Sequence, residues 1–162
     1  VADNFAGSEG ERFSGQPQGD GWLSWNIIDQ RRFNALIEPL MVRIEPAQTQ
    51  GMPRGRLRMV PGIQHSNLGD AVHGAVILGL IDISLFAIPI QHGLLGDGFS
   101  VTLDLNTQFV GAGRLGEPLD CVTEVVRSTR RLLFVRGLVV QGPADSHIVA
   151  SFSGTVRKPS SA

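Results

Sequence analysis

Between Ala71 and Ile90 the chain reads AVHGAVILGLIDISLFAIPI, an almost unbroken apolar run that carries one carboxylate, Asp82. The run has no polar face, so it predicts a helix covered on most sides, opening near His73 or Gly74. Beyond residue 98 the pattern changes to two-residue alternation. Val101, Leu103 and Leu105 are set against Thr102, Asp104 and Asn106, and Leu119, Cys121, Thr123 and Val125 against Asp120, Val122, Glu124 and Val126. Strands are predicted over residues 100–110, 117–128, 131–141 and 147–157. Their short connections, GAGRLG, STR and GPADSH, predict an antiparallel meander. Upstream, MVRIEP and RGRLRMVP predict a hairpin of two further strands. DQRRFNALIEPL predicts a short helix capped by Asp29, with an apolar stripe of Phe33, Leu36, Ile37 and Leu40 and an end at Pro39. The first stretch is polar and glycine-rich and predicts a flexible leader. The chain thus divides into a leader (1–21), a helical segment (22–40), one domain (41–158) and a short tail (159–162).

Composition narrows the class. With 162 residues, 42% apolar and 18% charged, the chain suits one soluble globular domain with a substantial core. A net charge of −1 with both signs interspersed gives no reason to expect nucleic-acid or membrane-surface binding. One cysteine, Cys121, excludes an internal disulfide framework and a cysteine-rich zinc site, and a cytoplasmic setting fits best. The apolar run is long enough to span a bilayer. Asp82 near its centre, with Pro89 and His73, argues for a core helix instead, since a central charge costs roughly 2.5–3.5 kcal/mol on insertion.

Candidate chemistry gathers at this helix. Its first turn offers unpaired N–H groups and the positive end of the dipole, which suit a developing oxyanion, and Gly74 lets a carbonyl approach closely. Relief of crowding at the helix start explains the same glycine equally well. Asp82 is a candidate for chemistry because uncompensated buried charge is costly and clusters at functional sites, the alternative being a structurally paired carboxylate. Eight residues separate Gly74 from Asp82, roughly 12 Å along the axis and about 80° around it. One helix cannot bring both to one reacting group, but two antiparallel helices from two subunits can. His73 alone has no metal-ligand spacing. Asn67 is explained by turn chemistry or by a role in holding a water or carbonyl. Arg130 and Arg131 can reach a phosphate from their turn, or be simply solvated.

A curved antiparallel sheet around a central apolar helix is the α+β layout of a hotdog fold. Asn67, six residues on His73-Gly74, then Asp82 nine after the histidine, resembles the signature of PaaI-like hotdog acyl-CoA thioesterases of the 4-hydroxybenzoyl-CoA thioesterase superfamily. SVTLDLNTQFVGAGRLGE, VVRSTRRLLFVRG and HIVASFSGTVR extend the resemblance over roughly residues 40–157. It implies hydrolysis of an acyl-CoA to free acid and CoA by a homodimer or dimer of dimers, with coenzyme A only as part of the substrate and no metal or redox cofactor. Asp82 would be nucleophile or general base, and the Gly74 N–H would hold the oxyanion. Asn67 would position water or the carbonyl, Thr102 would set a hydroxyl beside the carboxylate, and His73 would shape the helix start. The family's His-Gly-Gly is here His-Gly-Ala, which places Ala75 at the acyl pocket.

Two other classes compete. A hotdog dehydratase or hydratase acting on acyl-CoA or acyl-ACP needs a histidine paired with a carboxylate for proton transfer at carbon. Here the histidine stands at the helix entrance and the aspartate deep within, which favours hydrolysis. A non-catalytic acyl or CoA binder would not need Asp82. Leu78, Ile81, Leu85, Phe86 and Phe109 suit either pocket wall or core.

Overall fold

A computed structural model describes residues 12–48, 51–96 and 98–159. Eight strands form one antiparallel sheet: β1 (Pro17–Gly19), β2 (Trp22–Ser24), β3 (Met41–Glu45), β4 (Arg54–Met59), β5 (Val101–Phe109), β6 (Leu119–Ser128), β7 (Leu132–Gln141) and β8 (His147–Arg157), ordered β1-β2-β3-β4-β6-β7-β8-β5. Helix α1 (Gly74–Gln91) lies against the concave face, as the apolar run requires. Its mean hydropathy is 1.9 and 56% of it is buried inside the protein, so the sheet supplies the apolar cover that the sequence demands. Leu80, Ile81, Leu85 and Ile88 are fully buried against Leu57, Leu119, Cys121, Leu133 and Val156 from the sheet. Burying side chains of this size contributes about 1.5–3 kcal/mol each.

Four expectations change. Strands β6, β7 and β8 do form a meander, but β5 pairs with β8 at the sheet edge, not with β6. The link from β5 to β6 is too long for a hairpin and crosses the ends of β8 and β7. Val110 and Gly111 donate their N–H groups to Val149 O at 2.9 and 3.1 Å, and the Gln141 amide brackets the Arg114 backbone. Within β5 the alternation breaks at a bulge between Thr102 and Asp104, where Leu103 is the extra residue. Leu103 is therefore exposed, whereas Thr102 and Leu105 face α1.

The predicted helix at 29–40 is only a 3-10 turn, Phe33–Ile37. Asp29 binds the Arg31 and Arg32 side chains at 2.8 and 3.1 Å instead of capping it, and Glu38 before Pro39 is extended. Ile37 and Leu40 are buried, but Phe33 and Leu36 are 56% and 69% exposed. Finally, residues 12–21 are not a loose leader, and sheet structure begins well before residue 41. Phe13 stacks on Trp25 with centroids 4.6 Å apart, Ser14 and Gln16 bond the Ser24 hydroxyl, and β1 and β2 extend the sheet. The leader's first eleven residues lie outside the described residues.

On the convex face, β4 alternates Arg54, Arg56 and Arg58 with inward Gly55, Leu57 and Met59. Buried Arg56 bonds Glu45 at 2.6 Å, Asp120 at 2.9 Å and Asp145 at 2.7 Å, while Arg58 bonds Asp120 at 2.6 Å. The guanidinium groups of Arg43 and Arg58 lie 4.5 and 4.4 Å from the Trp22 ring, docking β2 onto this network.

Candidate active site at the open face of the helix

One stripe of α1 is left uncovered: Ala75 and Leu78 are exposed, and Asp82 and Phe86 half-buried. Asp82 is therefore not deep in the core; it lies where the sheet stops. β5 borders the stripe, and its bulge turns the Thr102 hydroxyl onto Asp82 Oδ1 at 2.7 Å. The other carboxylate oxygen accepts no hydrogen bond among the described residues. A carboxylate with one oxygen held and one free is oriented for attack or for proton abstraction.

At the helix start, His73 caps the first turn. Its Nδ1 accepts the Ala75 N–H at 3.0 Å, and its carbonyl accepts Val76 and Ile77 N–H at 2.9 and 3.2 Å. Gly74 N–H has no acceptor among the described residues. Of the first-turn donors it alone is left for a ligand, next to Ala75 on the open stripe. A side chain at Gly74 would meet the Phe109 ring at 3.5 Å, so Phe109 covers this end of the helix. His73 has no carboxylate partner among the described residues, and its Nδ1 is committed to the cap. The histidine–carboxylate pair that a dehydratase needs is not formed by His73 among the described residues.

Asn67 is tied into its own turn, its Oδ1 accepting Gly69 and Ala71 N–H at 2.8 and 3.2 Å. It shares with Ser66, Leu68, Gly69 and His73 the wall of an open cavity of about 670 Å³ beside the helix start. Two groups thus form within one chain: Asp82 with Thr102, and Gly74 with His73, Ala75 and Asn67. The helix keeps them roughly 12 Å apart.

Arg130 and Arg131 are exposed in the β6–β7 turn and make no ion pair among the described residues. Leu132 and Val101 both pair with Arg157, so this turn stands at the Thr102 end of the sheet, away from the helix start. Of the five possible wall residues, Leu78, Phe86 and Phe109 border open space, whereas Ile81 and Leu85 are core. His65, His92 and His147 each bond a backbone carbonyl, of Leu36, Arg54 and Ala112. No group of three metal-ligating side chains occurs among the described residues.

Sequence reasoning missed a polar knot under the helix. Ser84 accepts from Cys121 and Thr123 at 3.1 and 3.0 Å and donates to Ile81 O. Burial pushes the Cys121 thiol up to about 12, so it stays protonated and serves as a donor. The inward alternation of Cys121 and Thr123 with Ser84 in an apolar helix was the available signal.

Residues 69–145 match the thioesterase superfamily, nearly half of the chain, spanning α1 and β5 to β7. Over these residues the chain is similar to the thioesterase superfamily, and its fold is that of a hotdog domain. Among solved structures it is similar to Escherichia coli PaaI, from the phenylacetic acid degradation operon, at 19% identity and a TM-score of 0.57, covering 74% of this chain and 80% of that one. Zebra fish thioesterase superfamily member 2 is 20% identical over 81% of this chain and 89% of that one, with a TM-score of 0.61. A conserved Pseudomonas aeruginosa protein is 26% identical over 73% and 88%, with a TM-score of 0.57. No curated protein sequence matches the chain. The superfamily match supports thioester hydrolysis as the general chemistry, and the structural matches establish the hotdog fold.

Proposed function

We propose that the protein hydrolyses an acyl-CoA thioester to free acid and CoA at sites shared between two subunits. The observation that carries this reading is the pair of unsatisfied groups on one open helix stripe: a carboxylate oriented by Thr102 and a lone free N–H at Gly74. A second α1, antiparallel to the first across a two-fold axis, brings each Asp82 to the other chain's Gly74. In that arrangement Gly74 N–H donates to the thioester oxygen as it gains negative charge, worth about 2.7–4 kcal/mol for a single such donor.

Asp82 then either attacks the carbonyl carbon, expelling CoA thiolate and leaving a mixed anhydride that water hydrolyses to the free acid, or takes a proton from an attacking water and returns it to the departing CoA sulfur. Thr102 keeps the reactive carboxylate oxygen aimed. His73 holds the helix start so that Ala75, Val76 and Ile77 N–H groups are occupied and Gly74 N–H is not. Asn67 rigidifies the turn beside it, with its amide N–H₂ free for water or carbonyl. Arg130 and Arg131 lie at the Thr102 end of the sheet, where the CoA phosphates would be met by guanidinium groups that form no ion pair among the described residues. The site's own groups suffice for hydrolysis, and a cytoplasmic setting suits a CoA ester.

Asp82→Asn tests the assignment. The amide keeps the shape and still accepts from Thr102, but it is neither base nor nucleophile. Thiol release from a panel of aryl and aliphatic acyl-CoAs should fall by at least about 10²-fold, with the circular dichroism spectrum unchanged. Hydrolysis at the wild-type rate would remove Asp82 from the chemistry.

A further inference from the structure

Phe33 is a large apolar side chain left more than half exposed, yet it is seated on a specific place. A Cβ built at Gly79 would lie 3.1 Å from two carbons of the Phe33 ring and 3.6 Å from Ile37 Cδ1. Gly79 is thus the gap in α1 that lets the 3-10 turn Phe33–Ile37 lean against the helix. The turn is held there from the other side too. His65 Nε2 donates to Leu36 O at 3.1 Å, while its Nδ1 accepts Gly62 N–H at 3.0 Å, tying Phe33–Ile37 to the segment that leads into Asn67 and His73.

Gly79 precedes Asp82 by three residues, roughly 4.5 Å along the axis and about 60° around it. The open stripe of α1 therefore has two banks. β5 forms one, through Thr102 against Asp82 and Phe109 against Gly74; Phe33 forms the other, against Gly79 and across the stripe from Leu78. Leu78 and Phe33 lie on the helix's N-terminal side of Asp82. The cationic turn with Arg130 and Arg131 lies at the opposite end, because Val101 and Leu132 share Arg157 as partner. A thioester whose nucleotide lies toward that turn must direct its acyl group toward Leu78 and Phe33.

We infer that Phe33, seated on Gly79, is the wall that selects the acyl group, and that the group is apolar and larger than acetyl. This rests on the acyl-CoA reading above and gives the segment before residue 40 a role in it. Leu78 and Phe33 present no polar atom of their own to an acyl substituent, so a hydrocarbon gains from the contact and a polar acyl group does not. Phe33 touches substrate only through this wall; the bond-breaking groups lie elsewhere.

The test compares octanoyl-CoA with acetyl-CoA. Phe33→Ala should lower the ratio of their kcat/KM values about tenfold, the size expected when a large apolar contact is lost from one substrate and not the other. Gly79→Ala should shift the same ratio by displacing the ring, without removing it. Both variants should retain the wild-type circular dichroism spectrum, since Phe33 is 56% exposed. Calorimetric binding of the octyl thioether of CoA, set against CoA alone, runs in parallel and needs no hydrolysis. If wild type hydrolyses neither ester but the octyl group strengthens binding in a Phe33-dependent way, the pocket stands and the hydrolase reading fails. An unchanged octanoyl-to-acetyl ratio, with octyl-CoA bound equally by wild type and Phe33→Ala, would overturn the inference.

Discussion

An aspartate inside an apolar helix survives only if its charge is met. Asp82 meets this condition in two ways: it lies on the one stripe that the sheet leaves uncovered, and Thr102 donates a 2.7 Å hydrogen bond to it. Ser84, two residues on and on the covered side, is satisfied differently, by Cys121, Thr123 and a backbone carbonyl. The contrast separates a group kept for packing from one kept free. Removing the Thr102 hydroxyl should therefore affect rate more than binding. Thr102→Val deletes a hydrogen bond to a charged group, about 1.5–3 kcal/mol, or roughly ten- to a hundredfold. Steady-state kinetics should show that loss in kcat with KM little changed. A loss confined to KM would mean that Thr102 contacts substrate instead of orienting Asp82.

At the scale of elements, what could be read from the chain follows how regular each pattern is. Helix α1 and strands β3, β4, β6, β7 and β8 have long or cleanly alternating patterns, and their spans were legible within a few residues. β1 and β2 were not, because three-residue strands in a polar, glycine-rich stretch carry no periodicity; their position depends on Trp22 packing between Arg43 and Arg58. Leu103 was misjudged because a bulge shifts the alternation without marking the sequence. That same bulge is what aims Thr102 at Asp82. Asp82 and Gly74 could be singled out as candidates from type and spacing and Thr102 only from the resemblance, whereas the bank formed by Phe33 depends on a contact between distant segments. The arginine network at β4 is similarly long-range. Asp145, in a turn where it and Ala144 both have positive φ, is pulled onto Arg56, whose guanidinium bonds hold the Asp145 carboxyl below its ordinary value. Glu45 is also lowered: burial opposes ionisation, but the bonds from Arg56 and Arg43 outweigh it. Depressed folded-state values add stability above the unfolded values, and that stability is lost as pH falls through the folded values. Denaturant midpoints should thus drop below about pH 4. Asp145→Asn should flatten that drop while lowering the midpoint at pH 7. An identical acid profile in the variant would detach Asp145 from fold stability.

At the scale of the whole molecule, the open stripe and the unpaired edge β5 lie side by side. Exposed Val101, Leu103, Phe109 and Val110 follow that edge, and Leu78 lies on the stripe. Edges of this kind are covered or paired in stable assemblies, and in the proposed dimer a second copy antiparallel to the first would cover both features at once. The rigid separation of Gly74 and Asp82 then becomes a prediction about assembly. Asp82→Asn and Gly74→Pro proteins, each shown to be folded and dimeric, are mixed and allowed to exchange subunits. Each mixed dimer holds one site with both defects and one with none, so random exchange of an equal mixture should restore about a quarter of wild-type thioester hydrolysis. Two folded, exchanging variants that recover no activity would contradict a site shared between subunits, and Asp82 would have to act with groups of its own chain.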